Sequence, residues 1–246
     1  MKENILITGG AGYIGSHVVK QLLEENKSNI TIIDNLSTGF EETINKLKTL
    51  GSIDFIKLDL KEITTLDQIF KEKKFDSIIH FSASLIVPES IEDPLKYYTN
   101  NVINSINLIN CAVKYNVKKF IFSSTAAVYG DIDPTKMPVT EKYPTNPTTP
   151  YGSSKLMIEK VLDDTSKANK NFKFVVLRYF NVAGSDVDGL IGQSTLNSTH
   201  LIKVAAQTAL GKRKSMGIFG SDYDTKDGTC IRDFIHVCDL ANAHIK

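Results

Sequence analysis

The stretch that most restricts what this chain can fold into is residues 4–23, NILITGGAGYIGSHVVKQLL. A short apolar run at 5–7 predicts a buried strand, glycines follow at Gly10, Gly12 and Gly15, and Val18, Val19, Leu22 and Leu23 mark the apolar face of a helix. The turn reads G-x-G-x-x-G, in which the glycines serve a tight bend, close approach of backbone to a pyrophosphate, and close packing of helix on strand. Backbone N–H groups at the helix start then face an anion. Glycine-rich turns also recur for structural reasons alone, so the context decides. The next apolar run, 30–33, ends in Asp34, about twenty residues past the last glycine, where a carboxylate accepts hydrogen bonds from an adenosine ribose. Together these predict a dinucleotide-binding α/β unit.

The 246 residues are enough for one large α/β domain, or a domain with a small appendage, with a substantial core. A net charge of +1, from 29 basic and 28 acidic residues, provides no single-sign field to recruit nucleic acid or a membrane face. A small-molecule partner is the expectation. Cys111, Cys230 and Cys238 are odd in number and form no C-x-x-C, so neither a disulfide framework nor a zinc site is expected, and no other metal site is either. The first apolar run is broken by Thr8 and Gly9, too early for a signal peptide or a membrane span, so a soluble, cytoplasmic protein is expected. The N-x-[ST] triplets at Asn26, Asn35 and Asn197 are accordingly read as chance.

Further short apolar runs at 53–58, 77–81, 119–123 and 174–178 alternate with helical stretches. Such strands read as buried on both faces, and six of them with helical crossovers predict a doubly wound parallel sheet of Rossmann type. Residues 93–116 are expected to form the longest helical stretch, opening at Pro94 and presenting Asn100, Asn101, Asn104, Asn107 and Asn110 as a polar face. Asn100 is kept as a candidate because that helix passes the cofactor crevice. Residues 180–198 read as a long loop, followed by a helix over 199–210 and strands near 216–219 and 234–237. The expected division is a dinucleotide-binding domain over 1–179 and a smaller, incomplete substrate lobe over 180–246, interleaved with it and covering the reacting end of the cofactor.

Chemistry concentrates at Pro150-Tyr151-Gly152-Ser153-Ser154-Lys155, which opens a helix. Tyr151 and Lys155 are four apart and share one face. A free phenol, with a pKa of about 10, is a poor base at neutral pH. A cation about 6 Å away at an effective dielectric near 20 contributes about 3 kcal/mol, or roughly two pKa units, and an oxidised nicotinamide adds a second positive charge. The competing reading is a tyrosine packed on the core with its lysine in water; the upstream glycine turn favours the catalytic one. Residues 122–130, FSSTAAVYG, leave the fifth strand at its carboxyl end, where Thr125 could bond a substrate oxygen or serve only as a turn former.

These residues, with Arg178-Tyr179-Phe180-Asn181, resemble the extended short-chain dehydrogenase/reductase family, and within it the enzymes that epimerise UDP-sugars at C4. The likeness runs over 1–246 through TGGAGYIGSH, DNLSTG, YYTNNV, FSSTAAVYG, YGSSKLMIE, LRYFNVAG, IFGSDYDTKDGT and IRDFIHVCDLA, in order. The resemblance implies NAD as cofactor, lined by Gly9, Gly12, Tyr13, Ile14, Gly15, Asp34 and Asn35 on the adenosine and pyrophosphate side. Asp59, Leu60, Phe81, Asn100, Lys155 and Phe180 complete that lining. It implies Tyr151 as base, Lys155 as its cationic partner and Thr125 beside the 4-hydroxyl of the sugar. Asn181, His200, Leu201, Phe219 and Arg232 would line the UDP-sugar. The implied reaction interconverts UDP-galactose and UDP-glucose: Tyr151 takes the C4 hydroxyl proton, hydride passes to NAD, and the 4-keto sugar turns and is reduced on its other face.

Two departures stand out. Some family members carry a lysine in the loop after the fourth strand, where this chain reads Ser84-Leu85-Ile86-Val87, so one cofactor contact is expected to be absent or replaced. The family pattern also continues beyond Lys246 with a further strand and nucleotide contacts, which leaves the correspondence complete for NAD and partial for UDP-sugar. Two alternatives stay open: a nucleotide-sugar dehydratase or related enzyme, disfavoured because Ala126 and Ala127 follow Thr125 where those place an acid, and a non-catalytic NAD-binding protein. A homodimer paired through residues 93–116 and 151–168 is a further implication.

Overall fold

The computed structural model describes residues 2–196 and 198–246, and the Asn197 triplet lies outside the described residues. The chain opens with β1 (Glu3–Thr8), α1 (Tyr13–Glu25), β2 (Ser28–Asp34), α2 (Glu41–Lys48), β3 (Ile53–Lys57), α3 (Ile63–Glu72) and β4 (Ser77–His80). It continues through α4 (Val87–Glu92), α5 (Pro94–Tyr97), a π-helical turn (Tyr98–Ile103), α6 (Asn104–Lys114), β5 (Lys119–Ser123), α7 (Pro150–Ala168) and β6 (Lys173–Leu177). A 3-10 turn at Ala126–Tyr129 follows β5, and β7 (Asn181–Ala183), α8 (Leu201–Ala209), β8 (Phe234–His236) and α9 (Val237–Ile245) complete the described elements.

Six strands form one parallel sheet in the order β3-β2-β1-β4-β5-β6. Alternation along β1 sets up the two faces. Leu6 joins Ile33, Leu66, Phe70, Ile78, Leu108, Phe120, Phe122, Ile158 and Leu162 on the side covered by α3, α6 and α7. Ile5 and Ile7 join Val18, Val19, Leu22, Ile30, Ile32, Ile44, Leu47, Ile79 and Ala241 on the side of α1, α2 and α9. Such double burial is why the strands read as continuous apolar runs. The edge strand β6 departs from it: with β5 on one side only, Val175 is 56% exposed. Because β1 lies between β2 and β4, the order reverses at β1/β4 and opens a crevice at their carboxyl ends.

The chain departs from the sequence expectations at three places. Residues 180–198 are not all loop, since β7 forms there and pairs in parallel with β8, Asn181 opposite Phe234. Too short to show period-two patterning, β7 exists because β8 returns beside it. Residues 216–219 form no strand, and Ile218 and Phe219 stay 77% and 91% exposed, with no strand among the described residues paired to them. The run through 93–116 is the longest helical stretch, unbroken from Pro94 to Lys114, but it is not α-helical throughout: the π turn at Tyr98–Ile103 divides it, and the longest single α-helix is α7, with 19 residues. No helix of the described residues is long and apolar enough to cross a membrane, and they contain no group of three His, Cys, Asp or Glu side chains able to hold a metal. The three cysteines are free thiols.

Candidate active site

The glycine turn joins β1 to α1 at the crevice. A Cβ on Gly15 would stand 2.3 Å from the Gly9 carbonyl oxygen, so helix and turn approach closely only because that Cβ is missing. Gly12 is different. A Cβ there would meet only the Gly9 oxygen, at 3.3 Å, and the protein's own packing barely needs the glycine. Gly12 is also the N-cap of α1 and offers no side chain to its first turn, leaving the Tyr13 and Ile14 N–H groups without an intrahelical acceptor. A helix N-terminus whose cap carries no side chain fits a diphosphate.

Asp34 ends β2 with its carboxylate buried. Oδ2 accepts from the Ala11 N–H at 3.0 Å and Oδ1 from the Leu36 N–H at 2.8 Å, so the side chain braces the glycine turn and keeps one lone pair on each oxygen. Burial pushes its pKa up, opposed by those two N–H groups. Asn35 donates to Asp59 at 3.0 Å, and Asp59 in turn accepts from the Lys61 N–H. The Leu60 side chain belongs to the core; Ile14 and Phe81 are half-buried, and the Phe81 ring lies tilted against His244 at 4.8 Å.

The 3-10 turn after β5 and the start of α7 form the opposite wall. Thr149 caps α7 by accepting from the Gly152 N–H at 3.2 Å, and Pro150 sits at the first helical position, where its missing N–H costs nothing. A Cβ on Gly152 would lie 2.7 Å from the Ala127 oxygen, so this glycine lets α7 press onto the turn that holds Thr125. Thr125 is buried and its hydroxyl accepts from the Ala127 N–H at 3.1 Å, leaving its own proton to donate. The turn-forming reading of Thr125 is thus correct as far as it goes.

Tyr151 is half-buried beside this hydroxyl, and its ring meets Tyr97 edge-on at 6.5 Å. Burial raises its pKa, with the Thr125 hydroxyl acting in the opposite direction. This differs from the expectation that Lys155 lowers it. Lys155 is itself buried, donates to the Ser123 carbonyl at 2.9 Å and lies 5.0 Å from the centre of the Phe122 ring. Burial depresses its pKa to about 7, against the pull of Glu159. At neutral pH the ammonium is therefore only partly populated, and a neutral amine does nothing for a phenolate.

Three supporting residues were assigned no part in the site from the sequence. Glu159 lies two turns past Tyr151, accepts from Ser124, and is held by both Nε and Nη2 of Arg178, whose guanidinium covers the Tyr129 ring at 5.0 Å. Its spacing on the Tyr151–Lys155 face was the available signal. Asn101, read as polar face, is buried: Oδ1 accepts from the Ser84 N–H at 2.8 Å, and Nδ2 reaches the Ser84 carbonyl and Ser154 Oγ, both at 3.1 Å. His80 bridges Thr8 and Ser105 in the core. Asn100 donates to Ser84 Oγ at 3.1 Å.

The residues expected on the substrate side are more scattered. Asn181 donates to the Asp233 carbonyl at 3.0 Å and His200 bonds Ser198 at 2.9 Å. Phe180, Leu201, Phe219 and Arg232 are exposed, and the Arg232 guanidinium bonds only the neighbouring Ile231 carbonyl among the described residues. A concavity of about 810 Å³ bordered by Lys2, Asn29, Gly51 and Lys73 lies at the amino ends of β1–β3, away from all these groups.

Residues 5–246 match the model of the NAD dependent epimerase/dehydratase family. A UDP-glucose 4-epimerase of Azospirillum brasilense is 48% identical over 98% of this chain and 67% of its own length. Among solved structures, the UDP-Glc/GlcNAc 4-epimerase of Campylobacter jejuni is 51% identical with a TM-score of 0.85, over 99% of this chain and 73% of that one. UDP-glucose 4-epimerase from Bifidobacterium longum, in complex with NAD+ and UDP, superposes with a TM-score of 0.92 at 36% identity, over 98% of this chain and 72% of that one. With its glycine turn, its reversal of strand order and these relatives, the chain belongs to the NAD-dependent epimerase/dehydratase family.

Proposed function

We propose that this protein interconverts UDP-galactose and UDP-glucose by inversion at C4, with NAD held on the enzyme throughout. The observation that carries the reading is the convergence of Tyr151, Thr125 and Lys155 at the carboxyl end of β5, across the crevice from the glycine turn. NAD supplies a hydride acceptor that later returns the hydride. Gly12, Tyr13 and Ile14 would line its diphosphate, with Tyr13 and Ile14 offering backbone N–H groups while the Gly12 N–H donates to the Gly9 carbonyl at 3.2 Å; Asp34 would hold its adenosine ribose, and Asn35, Asp59, Phe81, Asn100 and Phe180 would extend that surface.

Tyr151 is the base for the C4 hydroxyl. Thr125, which accepts from the Ala127 N–H and keeps its own proton free, donates to the sugar oxygen or to the phenolate and so favours the ionised form. Lys155 supplies the second favourable charge when protonated. Glu159, clamped by Arg178, pulls Lys155 toward that state. Asn181, His200, Leu201, Phe219 and Arg232 form the UDP-sugar side of the reading, in a substrate lobe over 180–246 set against a dinucleotide domain over 1–179. The exposed Leu95, Ile103 and Met157 on the two helical segments support a homodimer, and a cytoplasmic location accords with the free thiols. A coupled assay converting UDP-galactose to UDP-glucose tests the reading. Turnover that depends on bound NAD is expected, and binding of NAD without turnover would leave a non-catalytic dinucleotide protein.

A further inference from the structure

His80 ends β4 and Thr8 ends β1, at the reversal point under the crevice. Thr8 Oγ1 lies 2.6 Å from His80 Nδ1, and His80 Nε2 lies 2.7 Å from Ser105 Oγ on α6. Ser105 has one proton, and its Oγ donates to the Asn101 carbonyl at 2.6 Å. A hydroxyl that has given its proton to a carbonyl can only accept from the ring, so Nε2 carries the hydrogen and Nδ1 is the acceptor for Thr8. One proton order satisfies every group: Thr8 O–H to Nδ1, Nε2–H to Ser105, Ser105 O–H to the Asn101 carbonyl.

This chain is sealed, with Thr8, His80 and Ser105 between 0% and 2% exposed. The Phe120 and Phe122 rings of β5 flank the imidazole at 5.9 and 5.8 Å, and Lys155 on α7 is the charge that acts on it. Burial and that lysine depress the His80 pKa to about 3, so the ring stays neutral wherever the protein is folded near neutrality. The chain ends on a carbonyl inside the π turn Tyr98–Ile103. Such wide turns need local support and recur at functional sites. From the same turn the Asn101 amide holds Ser84 and Ser154, and Ser154 Oγ donates to the Tyr151 carbonyl at 2.7 Å.

We propose that His80 is a positioning residue whose neutral Nε2–H form locks the π turn to the ends of β1 and β4. Through Asn101 and Ser154 it sets the helical turn that carries Tyr151. The role given to Tyr151 rests on the proposed function; the hydrogen-bond order does not.

Ring nitrogen chemical shifts of His80 in the unaltered protein test the order directly. The Nε2–H tautomer is expected, without titration between about pH 5 and 8; the other tautomer, or titration in that range, overturns the proposal. His80→Phe keeps an aromatic ring and removes donor and acceptor. It is expected to lower kcat for UDP-galactose about tenfold or more with little change in KM, the signature of a misplaced base. His80→Gln, with an amide donor toward Ser105, should recover most of the loss, which a merely space-filling role would not predict. Full kcat in His80→Phe, or equal damage in an equally stable His80→Gln, overturns the proposal. If His80→Phe does not fold, the tautomer and the glutamine variant decide. If the unaltered protein shows no turnover, the proposed function fails while amide exchange at 98–103 still judges the lock: faster exchange in His80→Phe, restored toward the unaltered rate in His80→Gln, supports it, and protection unchanged in His80→Phe overturns it.

Discussion

Replacing Gly12 and Gly15 separately by alanine distinguishes a glycine kept for a ligand from one kept for the fold. In Gly15→Ala the new methyl meets the Gly9 carbonyl oxygen at 2.3 Å and the Gly10 Cα at 3.0 Å, both backbone atoms that cannot rotate away. Overpacking of this kind costs about 1–3 kcal/mol, and because Gly15 is inside α1, alanine's better helix propensity returns up to about 1 kcal/mol. A net loss of about 2 kcal/mol lowers Tm by roughly 4–8 °C in a chain of this size. In Gly12→Ala the nearest atom is 3.3 Å away, which a shift of a few tenths of an ångström relieves. Alanine is a poorer N-cap than glycine by about 0.7 kcal/mol, so Tm should fall by only about 2 °C. The methyl would instead occupy the space over the helix N-terminus. If a diphosphate belongs there, crowding it by about 1–3 kcal/mol weakens NAD about 5- to 150-fold. Thermal denaturation followed by circular dichroism, with calorimetric titration of NAD, reads both quantities. NAD affinity unchanged in Gly12→Ala would refute the diphosphate assignment, and a Tm loss in Gly12→Ala equal to that in Gly15→Ala would refute the distinction.

Tyr151→Phe keeps the ring that packs against Tyr97 and should leave folding and NAD binding nearly intact while reducing epimerisation by about a hundredfold or more, measured by the coupled assay. NAD should bind at least about tenfold more tightly than NADP in parallel titrations, since Asp34 would face the 2′-phosphate with like charge and no Lys or Arg occurs from Asn35 to Asn45. Lys155 has a folded-state pKa depressed to about 7, so between that value and the unfolded pKa of about 10.4 the unfolded chain binds the extra proton. Its contribution to stability therefore rises with pH across that window and is most unfavourable below pH 7. Lys155→Met should remove this rise, so that the stability difference between variant and parent narrows from pH 7 to pH 10 in denaturant titrations; a difference that stays constant would place the lysine pKa near its ordinary value.

Much of the scaffold was legible because periodicity and local turn chemistry act over a few residues. The apolar runs at 5–7, 30–33 and 119–123 correspond to β1, β2 and β5 because a strand covered on both faces has no polar position to interrupt it. Elements that failed this test were those whose pairing partner is distant in sequence. Three-residue β7 is a strand only because β8 lies beside it, some fifty residues later, while 216–219 has strand-like residues and no pairing strand among the described residues. The π turn was equally hidden, since one extra residue in a helical turn barely alters the spacing of apolar positions.

The sequence by itself determined the glycine turn, the acid at the end of β2, and the i, i+4 placement of Tyr151 and Lys155, because each is a property of a short segment whose geometry its own residues impose. Tertiary structure alone decided the electrostatic state of those groups. Lys155 is a reluctant cation and Tyr151 a reluctant anion because packing removes water from both, a quantity that no spacing rule contains. Folding also turned the polar residues His80, Asn101 and Glu159 inward. Charge and hydrogen-bonding capacity are written in the sequence, whereas the dielectric and the partners that give them an energy arise only when residues as far apart as Thr8 and His80, or Glu159 and Arg178, are brought together.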